Sequence, residues 1–522
     1  MSRVQRARAH QRCEGIVARL HGPYRWLTLG LLLAALPFGA GCTSVREYVR
    51  NGLRVGPEYR RPAAAVADDW IDAADARLTS EPAECRRWWA VFGDDTLDQL
   101  VDLAYRQNVS LREAGFRILE AREQRAVVAG RLFPQTQALL GDFTQTQRSA
   151  RTATFRRSSS AIESGNVGLR NLSSWRLGTT LAWELDFWGG FRRAIEAADA
   201  RLDASIEGYD HVLVLLIAEV ATAYVDYRTV DQRLAFARGN AEEQEESARI
   251  AAARLKVKAI DSEIDAPQAK SNLARTRAAI EALETARRQH TNRLCVLLGM
   301  PPQDLESLLQ GTKPVPVAPE SVAIGVPAEL LRRRPDVRRA ERLVAALCAE
   351  IGVAQSNLYP RFALNGSMAL EAAQFSNLFS ADAWGGEVGP SFRWNVLNHG
   401  RLVHAVRVQD ARFQQQVAAY QQTVLLANEE AENAIVAFLN FHDQLKLLDE
   451  GVQEAQEAVR VAQAKYRAGD IDFNRVFTVE QLLISQQDQL ASAQGDLADS
   501  LIQLYRSLGG GWEIRLEPSA GL

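Results

Sequence analysis

The sequence predicts a mixed α and β membrane protein assembled from several copies. Three observations carry that expectation: a heptad seam far too long for a globular domain, a few strand-like stretches of period two, and the recurrence of the whole pattern some 210 positions later. The seam runs from Val403 through Val417, Val424, Phe438, Val452 and Val459 to Tyr466 in steps of three and four, with only Asp410 interrupting it. Sustained for about nine heptads, it predicts one continuous helix roughly 95 Å long at the helical rise per residue.

The period of two appears in Leu177–Phe187, Phe362–Leu370, Val388–Val396 and, more weakly, Gln135–Thr146. Stretches of about ten residues, apolar on one face and polar or small on the other, with aromatics toward the ends, suit strands tilted across a bilayer. Two ordinary half-buried hairpins would show the same alternation; the export signal described next favours the membrane. Four strands cannot close a membrane barrel, because the smallest have about eight and an open edge is not tolerated in lipid. The chain is therefore expected to oligomerise. Two copies would give about eight strands and three about twelve, and composition does not choose between them.

A basic stretch from Arg3 to Arg25 precedes an apolar run from Trp26 to Phe38 and then Gly39-Ala40-Gly41-Cys42. That run is too short to span a bilayer, so residues 1–41 read as a signal peptide. The small residues before Cys42 resemble a bacterial lipoprotein signal, whose cleavage would leave Cys42 as the lipid-anchored first residue; an ordinary cleaved signal with a chance cysteine is the alternative. The formal net charge is −3, and −8 once residues 1–41 are set aside, which suggests no nucleic-acid partner. Cys85, Cys295 and Cys348 are scattered, so neither a disulfide framework nor a metal site is expected, and they read as small core residues.

Thr96 to Leu132 reads as one helix ending before Pro134. No proline falls between Gln135 and Ala266 or between Ser391 and Glu517, which leaves room for two sets of long helices. The halves echo each other: Leu132-Phe133-Pro134 and Leu358-Tyr359-Pro360 precede the strands, Gly190 and Gly400 follow them, and Leu298-Gly299 and Leu508-Gly509 end the helical tracts. Each half is then helix, two strands and two long helices, an internal two-fold repeat. The first half has a poorer heptad, through Val230, Leu234, Ala237, Ala241, Ala248, Ala251 and Leu255. Arg332-Arg333-Arg334 reads as a solvated helix face, and Asp336 as a charge in the first turn of a helix.

Val55-Gly56-Pro57-Glu58-Tyr59-x-x-Pro62 after a lipoprotein-like cysteine, followed by Trp88-Trp89-x-x-Phe92-x-Asp94, resembles the opening of the outer-membrane factors, the TolC-like and OprM-like efflux lipoproteins of the NodT type. Leu330-Leu331-x-x-Arg334-Pro335-Asp336-Val337 and Tyr505-Arg506-Ser507-Leu508-Gly509 are similar to later marks of that family. The resemblance implies a trimer, with four strands per chain, that joins a transmembrane β-barrel to a long α-helical barrel reaching into the periplasm. It also implies partners, namely a periplasmic adaptor and an inner-membrane transporter, and a channel that passes small molecules outward.

No nucleophile with a base, carboxylate pair, phosphate loop or metal cluster stands out, so neither an enzyme nor a cofactor is expected. A duct needs a closable end, and the helix tips are where the seam stops. In the family the aperture is narrowed near the start of the last long helix, a region where this chain has Asp472, Asn474 and Thr478, with Arg467, Gly469, Asp470 and Arg475 around them. Thr478 stands where some relatives carry an acidic ring. Asp470 and Asp472 read equally well as caps of the returning helix. The first tip offers Asp261, Glu263 and Asp265 on similar terms. The expected division is a signal peptide (1–41), a lipid-anchored segment packing on the equatorial region (42–95), a first repeat (96–312), a proline-rich connector (313–326), a second repeat (327–512) and a tail (513–522). Other readings are a type I protein-secretion duct and a periplasmic coiled-coil scaffold or adaptor.

Overall fold

The computed structural model describes residues 44–79, 81, 85–149, 151, 171–256, 262–311 and 313–516. In chain order the elements are α1 (Val45–Arg50), β1 (Leu78–Thr79), a 3-10 turn (Trp88–Phe92), α2 (Asp95–Gln107), α3 (Val109–Gly130), β2 (Thr136–Gln147), β3 (Asn171–Leu185), α4 (Gly190–Lys256) and α5 (Ser262–Leu297). There follow α6 (Glu306–Leu309), β4 (Val322–Ala323), α7 (Pro327–Arg333), α8 (Pro335–Ser356), β5 (Arg361–Ala372), β6 (Trp384–Arg393), α9 (Arg401–Ala468) and α10 (Phe473–Ser507). With 67 and 68 residues, α4 and α9 are each roughly 100 Å long.

The chain forms two units, each from three separated stretches. One takes the residues up to Tyr59 with Val127–Glu196 and Cys348–Ala411; the other takes Arg60–Ala126, Ala197–Leu347 and Arg412–Leu522.

In the first unit the strands form one antiparallel sheet in the order β2-β3-β5-β6. Leu177 of β3 faces Leu370 of β5, so the strands of the two halves join and are not two separate hairpins. No residue of these strands is buried, and Leu139, Phe143, Met368, Trp384, Val388 and Phe392 are each half exposed or more. Aromatic rings gather at both ends. Trp175 meets Phe143 and Phe375 (ring centroids 4.4 and 5.1 Å) where β3 pairs with Ala372, and Phe187 meets Trp188 and Phe362 (4.9 and 5.6 Å) beyond the pairing of Leu185 with Phe362. Among the described residues, β2 and β6 have no further strand partner.

The N-terminal Val55-Gly56-Pro57-Glu58 motif closes around a buried arginine. Arg193 is wholly inaccessible; its Nε donates to the Val55 carbonyl (3.0 Å), its Nη2 to Gly56 O (3.1 Å) and Glu58 (3.2 Å), and its Nη1 to Glu196 (2.8 Å). Gly56, at φ +96°, lies against Gly352 so closely that a Cβ on it would be 2.4 Å from the Gly352 Cα. Only glycines permit that crossing.

The second unit holds the main apolar core, where Leu97 and Leu100 of α2, Ile217 and Val220 of α4, Phe438 of α9 and Leu501 of α10 are packed together. The apolar window of α4, long enough to cross a membrane by composition, is largely buried. The single helix expected over Thr96–Leu132 is two helices. Asn108 breaks it: its Oδ1 accepts from the Leu111 N–H (2.8 Å) as the cap of α3, while its Nδ2 donates to the Leu297 carbonyl (2.8 Å).

Arg334 is also a correction, being buried (7% side-chain exposure) where a solvated face was expected. It donates to both Asp336 oxygens (3.0 and 2.7 Å), to Glu430 (2.8 Å) and to the Ser507 carbonyl at the end of α10 (2.9 Å). Asp336 satisfies the arginine as well as the helix start, which sequence position alone does not reveal. Gly509 at φ +75° passes beside Arg334, and the Gly511 N–H donates to the Cys85 carbonyl (2.8 Å). Cys85, Cys295 and Cys348 are buried, and among the described residues none forms a disulfide.

The α9 seam is buried at Val424, Ala431, Phe438, Val452, Val459 and Tyr466. In its first turns it runs through Leu402, Val406 and half-buried Gln409, leaving Val403 exposed; Asp410 interrupts the apolar pattern because Gln409 holds the seam position. On α4 the buried stripe passes through Asn240, Gln244 and Ser247, while Leu255 is exposed. The poorer heptad of the first half thus reflects polar residues in inward positions.

Candidate functional site

α9 ends at Ala468 because Gly469 takes φ +89°, a conformation costly for other residues. The Asp470 N–H donates to the Lys465 carbonyl (3.0 Å) and the Gly469 N–H to that of Tyr466 (3.1 Å), closing the helix in a Schellman turn. Asp472 then caps α10, its Oδ1 accepting from the Arg475 N–H at 3.0 Å. Asp472 is therefore a helix cap, and Asp470 is an exposed turn residue. Arg467, Asn474, Arg475 and Thr478 are exposed as well, and the Thr478 hydroxyl donates to the Asn474 carbonyl (2.8 Å).

Beneath this polar surface Tyr466 pins the helices together. It is 1% exposed, its hydroxyl donates to Asp265 of α5 (3.1 Å), and its ring lies 5.6 Å from that of Phe473. Arg254 of α4 sits 4.6 Å over the ring and donates to the Tyr466 carbonyl (3.2 Å). Burial, reinforced by the Asp265 charge, pushes the Tyr466 phenol up to about 12, so it is a neutral donor. Asp265, expected at the first tip, is thus joined to the second. Glu263 is exposed; Asp261 and Cys42 lie outside the described residues. Sequence reasoning did not single out Arg254 or Phe473. Their only signals were a cation in the last turn of a long helix and an aromatic one residue after a cap.

A sequence model of the outer membrane efflux protein family matches residues 100–300 and again 326–510. The chain belongs to that family. The efflux channel is 29% identical to the pyoverdine export outer membrane protein OpmQ of Pseudomonas putida, over 82% of this chain and 88% of the relative. It is 27% identical to the toluene efflux pump outer membrane protein TtgC of the same species, over 90% and 95% of the two chains. Among solved structures, the outer-membrane channel OprN superposes with a TM-score of 0.80 at 33% identity, covering 88% of this chain and 99% of that one. The protein is thus an outer-membrane efflux channel protein, and its family is one of channels, not enzymes. The TolC-like channel fold, mostly helical with some sheet, agrees with the expectation from sequence.

Proposed function

We propose that three copies of this channel close their sheets into one transmembrane barrel of about twelve strands, continued by a helical barrel into the periplasm. The supporting observation is the β2-β3-β5-β6 sheet, which has exposed apolar residues, no buried residue and, among the described residues, two unpaired edges. In water such a sheet would aggregate, and in lipid it must be closed. Between its two aromatic ends, Trp175 to Leu185 spans roughly 33 Å of strand, which at the usual tilt gives the ~25 Å apolar band of an outer-membrane barrel. The chain would be two copies of one helix–strand–strand–helix–helix unit, flanked by a Cys42-anchored N-terminal segment and a short tail, with a proline-rich connector between the copies.

The duct serves an efflux pump: small molecules handed on by an inner-membrane transporter and a periplasmic adaptor leave through it. The gate lies at the α9–α10 turn, where Arg467, Asp470, Asp472, Asn474, Arg475 and Thr478 surround Gly469, with Glu263 and Asp265 of α5 beside them. The deciding measurement is the mass of the detergent-solubilised protein. Three chains are expected, and a monomer or dimer would overturn the twelve-strand barrel. Loss of fatty-acid labelling in Cys42→Ser tests the anchor.

A further inference from the structure

The helices α4, α5, α9 and α10 are joined near the turn by two different kinds of packing. Ala251, Ala269, Ala462, Phe473 and Val476 form an apolar cluster around Tyr466, and Val452, Ala455, Val459, Leu483 and Leu490 form another farther along α9 and α10. Along the same stretch α4 turns polar residues inward. Glu480 of α10 is 4% exposed; it accepts from the Ser247 hydroxyl of α4 (3.0 Å) and from Nδ2 of Asn272 on α5 (3.3 Å), and Gln463 of α9 donates to it at 3.5 Å. Two helical turns along, Asn240 donates to Gln487 (2.7 Å). Gln244 lies between these pairs on α4, 2% exposed, with neither amide atom hydrogen-bonded. All four helices thus meet in a buried polar layer whose single carboxyl makes no ion pair among the described residues.

Among the described residues, few charged or titratable groups face Glu480. Glu243 lies on α4, and Arg275 on α5 donates to the side-chain Oδ1 of Asn272 (3.3 Å), to which Gln481 of α10 also donates (2.6 Å). The contact from α9 is the neutral Gln463. A buried carboxylate with only neutral donors is unfavourable, because those donors replace its lost hydration incompletely.

We propose that Glu480 is a protonation-controlled latch: neutral, it holds the four helices in the packed layer, and ionised, it drives them apart at this level so that water reaches the charge. Burial raises the carboxyl above its ordinary 4.5, against the Ser247 and Gln463 donors, and the Glu243 charge adds to the rise. The packed state therefore binds the proton more tightly than a hydrated one, so its stability is full below 4.5 and is lost as pH rises through the raised value. The unpartnered Gln244 gives entering water an amide to bond. The consequence for conduction rests on placing the gate at the α9–α10 turn; the latch itself does not.

The test uses Val476→Cys, a fully buried position beside the layer, in the full-length channel with Glu480 or with Glu480→Gln. Maleimide labelling is measured in both backgrounds at each pH from 4 to 8, and the ratio of rates cancels the chemistry of the thiol. The rate with Glu480 retained, divided by the rate with Glu480→Gln, is expected to be near one at the acid end and to rise with pH, by about tenfold for each unit by which packing raises the carboxyl. A flat ratio overturns the latch. Bilayer conductance provides the second measurement: opening that rises with pH in the wild type and not in Glu480→Gln supports coupling to the pore. A rising labelling ratio with pH-independent conductance keeps the latch and refutes the placement of the gate.

Discussion

Arg228 offers a severe test of how the core of the second unit is held. It is wholly buried on α4, with no ion pair among the described residues; its Nε donates to the Tyr224 hydroxyl (3.0 Å), its Nη1 to the Gly311 carbonyl (2.6 Å) and its Nη2 to that of Leu309. It also lies over the rings of Tyr224 and Tyr227 (5.1 and 5.4 Å). Tyr224 in turn donates to Asp94 (2.5 Å), the residue that caps α2. Arg228 therefore ties the segment after α5 to α4 and supports Tyr224, which ties the start of α2 to the same helix. Arg228→Met fills similar space and removes both bonds to carbonyls, each worth about 1.5–3 kcal/mol because the donor is charged. The relief of burying one fewer charge offsets part of this, leaving a loss of about 3 kcal/mol. Arg228→Lys should recover less than half, since an ammonium cannot reach three acceptors in the geometry of a guanidinium fork. Urea unfolding in detergent, followed by the fluorescence of buried Trp88 and Trp89, reads the difference. A loss below about 1 kcal/mol for Arg228→Met would refute the reasoning and show that an apolar side chain serves as well.

Gly56→Ala is expected to cost about 3 kcal/mol, since strain at positive φ is compounded by collision with Gly352. Gly52→Ala, at φ +66° with open space around it, should cost only about 1 kcal/mol by the same unfolding measurement. Asp472→Ala should lose about 1 kcal/mol and Asp472→Asn only a few tenths, because asparagine caps as well as aspartate; amide exchange at Asn474 and Arg475 checks this. Burial works to raise Asp94, but the Tyr224 hydroxyl, the Thr96 N–H, Lys313 and Arg228 outweigh it and hold the carboxyl below 3.8. Its stabilising contribution is therefore present above 3.8 and disappears as pH falls through the lowered value. Tyr224→Phe should move acid unfolding to higher pH, and an unchanged acid midpoint would contradict that role for the hydroxyl.

The long helices and the four strands were legible because their periods are local. A stripe at steps of three and four, or an alternation of two, records which face is covered whatever covers it. The helix over Thr96–Leu132 misled because its apolar spacing continues across Asn108, while the break is decided by a carbonyl from Leu297, far along the chain. Arg332-Arg333-Arg334 misled for the same reason: the partners of Arg334 are Glu430 and Ser507, which no spacing connects to it. At the candidate site, the turn at Gly469 and the cap at Asp472 could be read directly, since both are contacts within a few residues. The Tyr466–Asp265 bond joins residues 201 positions apart and could not.

The sequence alone therefore determined the long helices, the strands, the turn chemistry and, through its motifs, the family. The tertiary structure decided which polar groups are buried and what satisfies them. The Val-Gly-Pro-Glu motif is a clasp on Arg193, the weak heptad of α4 is a polar layer around Glu480, and one carboxylate at the turn is a cap while its neighbour is an exposed turn residue. The division follows from the range of the forces. Backbone preference and amphipathic period act over a few residues, whereas the cost of burying a charge depends on every atom that surrounds it after folding.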